Sequence, residues 1–226
     1  MSHFNVAVFS YEPGHVDDLL APYCEDVGPH SEYAEFVPHE DADYDESMKQ
    51  NGYWHNPNAR WDWYCVGGRW RGHLKLKDGC SGEYGPLSRY DNKDECVPGR
   101  CDIALTADCD FSPNESAYHK AIRFWEVIVE GQPLKEGEPE FFNIYKPEYF
   151  IERYGTKEAY AKDQSNFTTY AFVSAGGEWH ETGHMGWWGI DDATKESRES
   201  YRNEMESYLR EAVEKGLYIT IVDCHI

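Results

Sequence analysis

The chain lacks the features that mark membrane and secreted proteins. Within its 226 residues no apolar run reaches the ~18 residues that a membrane span requires. Residues 1–5 contain no basic stretch leading into an apolar core, so no signal peptide is predicted. The seven cysteines are odd in number and irregular in spacing, which favours free thiols over a disulfide framework. These absences predict a cytoplasmic protein without a membrane partner.

Basic residues are scarce as well. Only 21 Lys and Arg stand against 42 Asp and Glu, which gives a net charge of -21. Such a surface repels phosphate backbones, so direct nucleic-acid binding is not expected. It favours a partner protein with a basic groove, and the alternative is a surface that is acidic only for solubility.

Strands are predicted at both ends of the chain. Residues 3–10 alternate and are apolar on both sides, which indicates a central strand, and residues 217–226 form a final strand. Two hairpins are predicted, one around Gly67-Gly68 with strands 61–66 and 70–77, and one around Gly176-Gly177 with strands 167–174 and 178–184.

Helices are predicted from caps and apolar stripes. A short helical turn at residues 16–20 ends at Pro22. A longer helix starts at Ser112-Pro113, where Glu115 completes a capping box, and ends before Gly131. Further helices are predicted at residues 147–155, after Thr156, and at residues 194–215, the last with an inner face of Tyr201, Met205, Tyr208, Ala212 and Val213.

The fold class that follows is α+β. We expect a mostly antiparallel central sheet that includes both terminal strands as neighbours and is covered by three to four helices. Residues 1–226 are predicted to form a single domain, with an acidic, partly irregular segment at 25–50 and an irregular connection at 78–101.

Two clusters rich in tryptophan and glycine are candidate binding sites. The first comprises Trp61, Asp62, Trp63, Tyr64, Arg69 and Trp70, and the second Trp187 and Trp188. Strand alternation predicts Trp61 and Trp63 on one face, with Asp62 and Tyr64 on the other. Arg69 could stack on a ring or grip a carboxylate or phosphate. The alternative is a packed aromatic core with an internal Asp62–Arg69 ion pair.

The last strand supplies candidate catalytic residues. Asp223 and His225 share a face, whereas Cys224 points the opposite way and is predicted to be a buried thiol. If the first strand is adjacent, His3 joins them in a His/Asp/His cluster suited to proton transfer or metal binding. The alternative is a structural His–Asp hydrogen bond at a strand end.

Two other patterns do not predict a metal site. His180-Glu181-Thr182-Gly183-His184 matches the zinc protease motif, but that motif requires a helix and this segment is predicted to be a strand, where the two imidazoles lie ~13 Å apart. Cys80, Cys96, Cys101 and Cys109 lack a C-x2-C pair, so free thiols are favoured over a zinc knot. The sequence indicates no particular cofactor.

Four sequence blocks resemble an uncharacterised family of bacteriophage, prophage and bacterial proteins. These blocks are the opening Met1-Ser2-His3-Phe4, residues 56–70 with Trp-Asp-Trp-Tyr and Gly-Gly-Arg-Trp, Met185-Gly186-Trp187-Trp188-Gly189, and the closing Val222-Asp223-Cys224-His225-Ile226. The resemblance implies one fold in which the two chain ends and the two tryptophan clusters converge, and a setting in the cytosol of a host cell. It implies no activity.

Three functions are consistent with these features. The first is a phage- or prophage-encoded host-interaction protein, an acidic inhibitor that binds the basic groove of a host defence or nucleic-acid-processing protein, such as a CRISPR effector. The second is a metal- or His/Asp-dependent enzyme that acts on a nucleotide-like or anionic substrate. The third is a small-ligand sponge built on the tryptophan clusters.

Overall fold

The fold is α+β in a computed structural model that describes residues 2–87, 96–186 and 191–226. The strands in these ranges are β1 His3–Ser10, β2 Glu35–Pro38, β3 Tyr44–Asp45, β4 Gln50–His55, β5 Trp63–Val66, β6 Leu74–Lys75, β7 Arg100–Cys101, β8 Ile103–Leu105, β9 Ala171–Val173, β10 Trp179–Glu181 and β11 Tyr218–His225. The helices are α1 Val16–Leu20, α2 Glu115–Ile128, α3 Pro147–Tyr154, α4 Lys157–Ser165 and α5 Lys195–Lys215.

The two terminal strands pair at the centre of the main sheet. The order is β10-β9-β1-β11-β5, and β8 pairs with the first residues of β11 on the same side as β5. All these pairs are antiparallel except β1 with β9, which is parallel. The prediction that the chain ends are neighbours is therefore confirmed, with His3 opposite His225 and Phe4 opposite Cys224.

The sheet is covered on both faces because β1 and β11 carry apolar side chains on both sides. On one face, α5 packs Met205, Leu209 and Ala212 onto β1 and β11. On the other, α1 packs Val16 and Leu20 against the opposite side chains of the same strands. Helices α2, α3 and α4 pack mainly against one another in a separate apolar cluster around Trp125 and Phe150.

Two helix details differ from the prediction. Asn114, not Ser112, caps α2, because its side chain accepts from the Ala117 N–H, so the proposed capping box of Ser112 and Glu115 is wrong. In α5, the inner face includes Leu209, which is buried, and it excludes Val213, which was predicted to be buried but is 41% exposed. The cap of α4 at Thr156 and the bounds of α5 agree with the prediction, and Thr194 is the residue that caps α5.

The hairpin around Gly67-Gly68 is wrong. After β5 the chain makes a 3₁₀ turn at Gly68–Trp70, and β6 pairs with β7 rather than with β5. Both glycines have positive φ, but they serve close approach to aspartates rather than a two-residue turn. The hairpin around Gly176-Gly177 is confirmed by the pairing of β9 with β10.

The acidic segment contains more regular structure than predicted. Strands β2, β4 and β3 form a small antiparallel sheet across residues 35–55, separate from the main sheet. In the 78–101 connection, the described residues include one short strand, β7, at its end, and residues 88–95 lie outside the described part of the chain. None of the described helices is long and apolar enough to span a bilayer.

Candidate functional site

Three neighbouring strands bring the candidate residues together at one end of the main sheet. Trp63 on β5, His225 on β11 and His3 on β1 lie directly opposite one another in register and so share a face. Backbone bonds fix this end of the sheet, since Ser2 and Ile226 bond each other in both directions and the Asp62 N–H donates to the His225 carbonyl. The predicted meeting of His3, Asp223 and His225 is therefore confirmed.

The first of two His–Asp pairs is buried. Nδ1 of His3 lies 2.7 Å from Oδ1 of Asp223, and the two side chains are 5% and 0% exposed. The second carboxylate oxygen of Asp223 accepts the backbone N–H of Arg69 at 2.9 Å. Both oxygens of this buried carboxylate are thus hydrogen-bonded, as the low dielectric around it requires.

The second pair lies closer to solvent. Nδ1 of His225 lies 2.7 Å and 2.9 Å from the two oxygens of Asp62, whose side chain is 36% exposed. Asp62 was expected to pair with Arg69 in a packed core or to serve as a binding residue. It instead orients the terminal imidazole, while the Arg69 side chain is exposed on the turn after β5.

The aromatic rings hold the two imidazoles side by side. His3 and His225 have ring centroids 4.9 Å apart, and Trp63 stacks on His225 at 4.9 Å with an interplanar angle of 19°. His3 also meets the edge of Trp63 at 5.2 Å. Packing of this kind restricts the rotation of both imidazoles and keeps their geometry constant.

The remaining residues of the first tryptophan cluster lie elsewhere. Trp61 packs with Tyr64 on the opposite face of the sheet, so the prediction that Trp61 and Trp63 share a face is wrong. The reason is that β5 begins only at Trp63, and strand alternation does not extend back to Trp61. Trp70 is half-buried and packs against the apolar core on the face of the sheet that α5 covers. Trp187 and Trp188 lie outside the described residues.

The two sequence patterns that were compared with metal sites, at His180–His184 and at the cysteines from Cys80 to Cys109, have other contacts in the structure. His180 and Glu181 lie on β10, so this part of the protease motif is on a strand, as predicted. The His180 side chain pairs with Glu204 at 2.8 Å and stacks on Phe172. Burial raises the pKa of Cys101 to about 11 and that of Cys109 to about 12, which keeps both thiols protonated. Among the described residues, no three His, Cys, Asp or Glu side chains are placed to hold a metal ion.

Cys224 is buried on the opposite face from Asp223, as the strand pattern predicted. Burial raises its pKa well above the ordinary thiol value, so it cannot serve as the nucleophile of a Cys–His–Asp triad.

The sequence reasoning missed Asn5 and Cys65, which lie opposite Asp223 on either side and complete the polar end of this face. Their even spacing from His3 and Trp63 was a signal that could have identified them.

The site combines the parts of an acid–base centre. An aspartate bonded to Nδ1 selects the imidazole tautomer and orients Nε2, which is then the atom that exchanges protons. Two such pairs stand side by side, one buried and one near solvent.

A scan of the chain against protein-family models finds no match, and searches of curated proteins and of solved structures find none either.

Proposed function

We propose that the protein is a His/Asp-dependent enzyme that cleaves or transfers a group on a nucleotide-like or other anionic substrate. The observation that carries this proposal is the pair of adjacent His–Asp hydrogen bonds across β1, β11 and β5, with imidazoles 4.9 Å apart. A solitary structural His–Asp bond would not require a second one beside it.

The two imidazoles would share the proton transfers of such a reaction. One takes the proton of the attacking water or hydroxyl, and the other gives a proton to the leaving oxygen, so no proton is gained or lost overall. A substrate would approach from the side of Asp62, whose side chain is 36% exposed, whereas the imidazoles of His3 and His225 are 5% and 8% exposed. Arg69, exposed next to the site, supplies a positive charge for an anionic group.

A substrate panel with histidine variants tests the proposal. Nucleoside phosphate monoesters and diesters are incubated with the purified protein and the products are separated by chromatography. We expect His225→Gln and His3→Gln each to lower the rate by about 10²-fold or more, because each removes one proton-transfer group. His180→Gln is the matched control, since His180 also bonds a carboxylate on the same sheet but lies outside the site.

The outcomes separate the proposal from its alternatives. Turnover that survives both substitutions in folded protein would show that these imidazoles are not the proton-transfer groups. Quenching of tryptophan fluorescence by a nucleotide without turnover would favour the ligand sponge. If the protein neither turns over nor binds any compound of the panel, the enzyme proposal is contradicted.

A second candidate is the acidic inhibitor of a host protein, and the small sheet of β2, β3 and β4 favours it. Residues 25–50 contain nine acidic residues and one lysine, and eight of the acids are exposed: Glu25, Asp26, Glu32, Glu35, Glu40, Asp41, Asp43 and Glu46. Five of them, from Glu35 to Glu46, lie on or between the strands of the small sheet, and this concentration of negative charge would fit a basic groove. The phage-type resemblance is consistent with such a role.

Binding measured across a salt series tests this second function. The probes are host nucleases and CRISPR effectors that carry basic nucleic-acid grooves. We expect binding that weakens steeply with salt and is lost when Glu40, Asp41 and Asp43 are changed to their amides. Binding that is indifferent to salt, or none, would count against it.

A further inference from the structure

A small polar cleft lies at the N-terminal half of α5, and it adjoins the histidine face only through Asn5, the neighbour of Asp223. Its volume is about 240 Å³, and its lining includes Thr182, Arg198, Arg202, Asp163 and Asn5. This is below the ~300–1,000 Å³ of typical ligand pockets, so the cleft suits a small group. Arg198 and Arg202 are four residues apart on α5 and therefore project from the same side of the helix.

The two arginines that line the cleft use only part of their guanidinium groups in ion pairs. Arg202 bonds Asp163 at 2.8 Å, while Arg198 and Arg153 share Asp191 at 2.9 Å and 2.8 Å. Three guanidinium groups thus face two carboxylates within this network. Asp191 is thus shared between two guanidinium groups, and Asp163, which also lines the cleft, is bonded through only one nitrogen of Arg202.

Two buried donors on residues that line the cleft have no hydrogen-bond partner among the described residues. Thr182 is only 8% exposed, and its Oγ1 is unpartnered. Nε of Arg198 is likewise buried and unpartnered, although its Nη2 bonds Asp191. A buried donor left without an acceptor destabilises the folded state, so two of them at one cleft need an explanation.

We propose that this cleft binds a phosphate group, either inorganic phosphate or the terminal group of a small phosphomonoester. Phosphate oxygens would accept from Nε of Arg198, from the free edge of the Arg202 guanidinium and from the Thr182 hydroxyl. The guanidinium fork matches the spacing of phosphate oxygens, and the hydroxyl adds a donor from a different direction. The inference does not depend on the proposed enzyme activity, since it needs no proton transfer.

Phosphate titration by calorimetry tests the site at constant ionic strength, with chloride as the balancing anion. We expect Thr182→Val to weaken phosphate binding about fivefold or more, because it removes a donor while leaving the side-chain shape. The variant should fold, since it removes a buried hydroxyl that has no partner. Arg202→Lys keeps the charge but loses the fork, and we expect it to weaken phosphate at least as much.

Thr220→Val is the matched control. Thr220 on β11 is fully buried and its Oγ1 is also unpartnered, but it does not line the cleft. We expect its phosphate affinity to equal that of the unmodified protein. Equal affinity in the Thr182→Val and Thr220→Val variants, or no binding tighter than about 10 mM, would overturn the proposal. Acetate binding as tight as phosphate would overturn the assignment to phosphate.

Discussion

Gly68 shows how one residue without a side chain makes the buried His–Asp pair possible. Its φ is +52°, and a Cβ at this position would lie 2.5 Å from Oδ2 of Asp223. That same oxygen accepts the N–H of Arg69, the next residue. The chain can approach the carboxylate closely enough to bond it only because position 68 is glycine.

Replacing this glycine should therefore destabilise the protein strongly. We expect Gly68→Ala to lower the free energy of unfolding by about 2–4 kcal/mol, from backbone strain and the clash with Asp223 together. Gly79→Ala is the control, because Gly79 also has positive φ but nothing lies within 4 Å of the added Cβ. Urea denaturation of both variants measures the difference, and equal losses would refute the clash with Asp223.

At the scale of elements, patterns that depend on local bonds were predictable. Strands β1 and β11, the hairpin of β9 and β10, and the cap at Thr156 follow from alternation, turn glycines and a capping side chain. The pairing of β5 was not predictable, because its partner β11 lies more than 150 residues away along the chain. A glycine pair between two apolar runs cannot distinguish a hairpin from a turn that separates two sheets.

The cap of α5 gives a prediction at this scale. The Thr194 side chain accepts from the Ser197 N–H, and the Ser197 side chain accepts from the Thr194 N–H. We expect Thr194→Ala to lower the free energy of unfolding by about 1 kcal/mol. Thr194→Ser keeps a capping hydroxyl and should retain most of that contribution. Thermal unfolding followed by circular dichroism compares the two, and an unchanged midpoint for the alanine variant would show that the cap contributes nothing.

At the scale of the whole molecule, charge is the dominant property. A net charge of -21 on 226 residues produces repulsion that opposes the compact state at low ionic strength. The acidic segment at residues 25–50 adds to this repulsion, with eight exposed carboxylates between residues 25 and 46. Stability should therefore depend on salt more than it does in a protein with balanced charges.

We expect the unfolding temperature to rise as salt increases from about 0.01 M to about 0.15 M, because the screening length falls from about 30 Å to about 8 Å. Changing Glu40, Asp41 and Asp43 to their amides should raise the midpoint at low salt and have little effect at high salt. Differential scanning calorimetry measures both series. A midpoint that falls with added salt would mean that attractive ion pairs outweigh the repulsion.

The sequence by itself determined the α+β class, the central position of both terminal strands, and the placing of Asp223 and His225 on one face with Cys224 on the other. These depend on a period of two residues and on burial, which are local properties. Only the tertiary structure decided that Asp62 bonds His225, that Trp63 rather than Trp61 faces the imidazoles, and that Thr182 meets Arg198 at a cleft. These contacts depend on strand register and helix packing between distant segments, which no local pattern specifies.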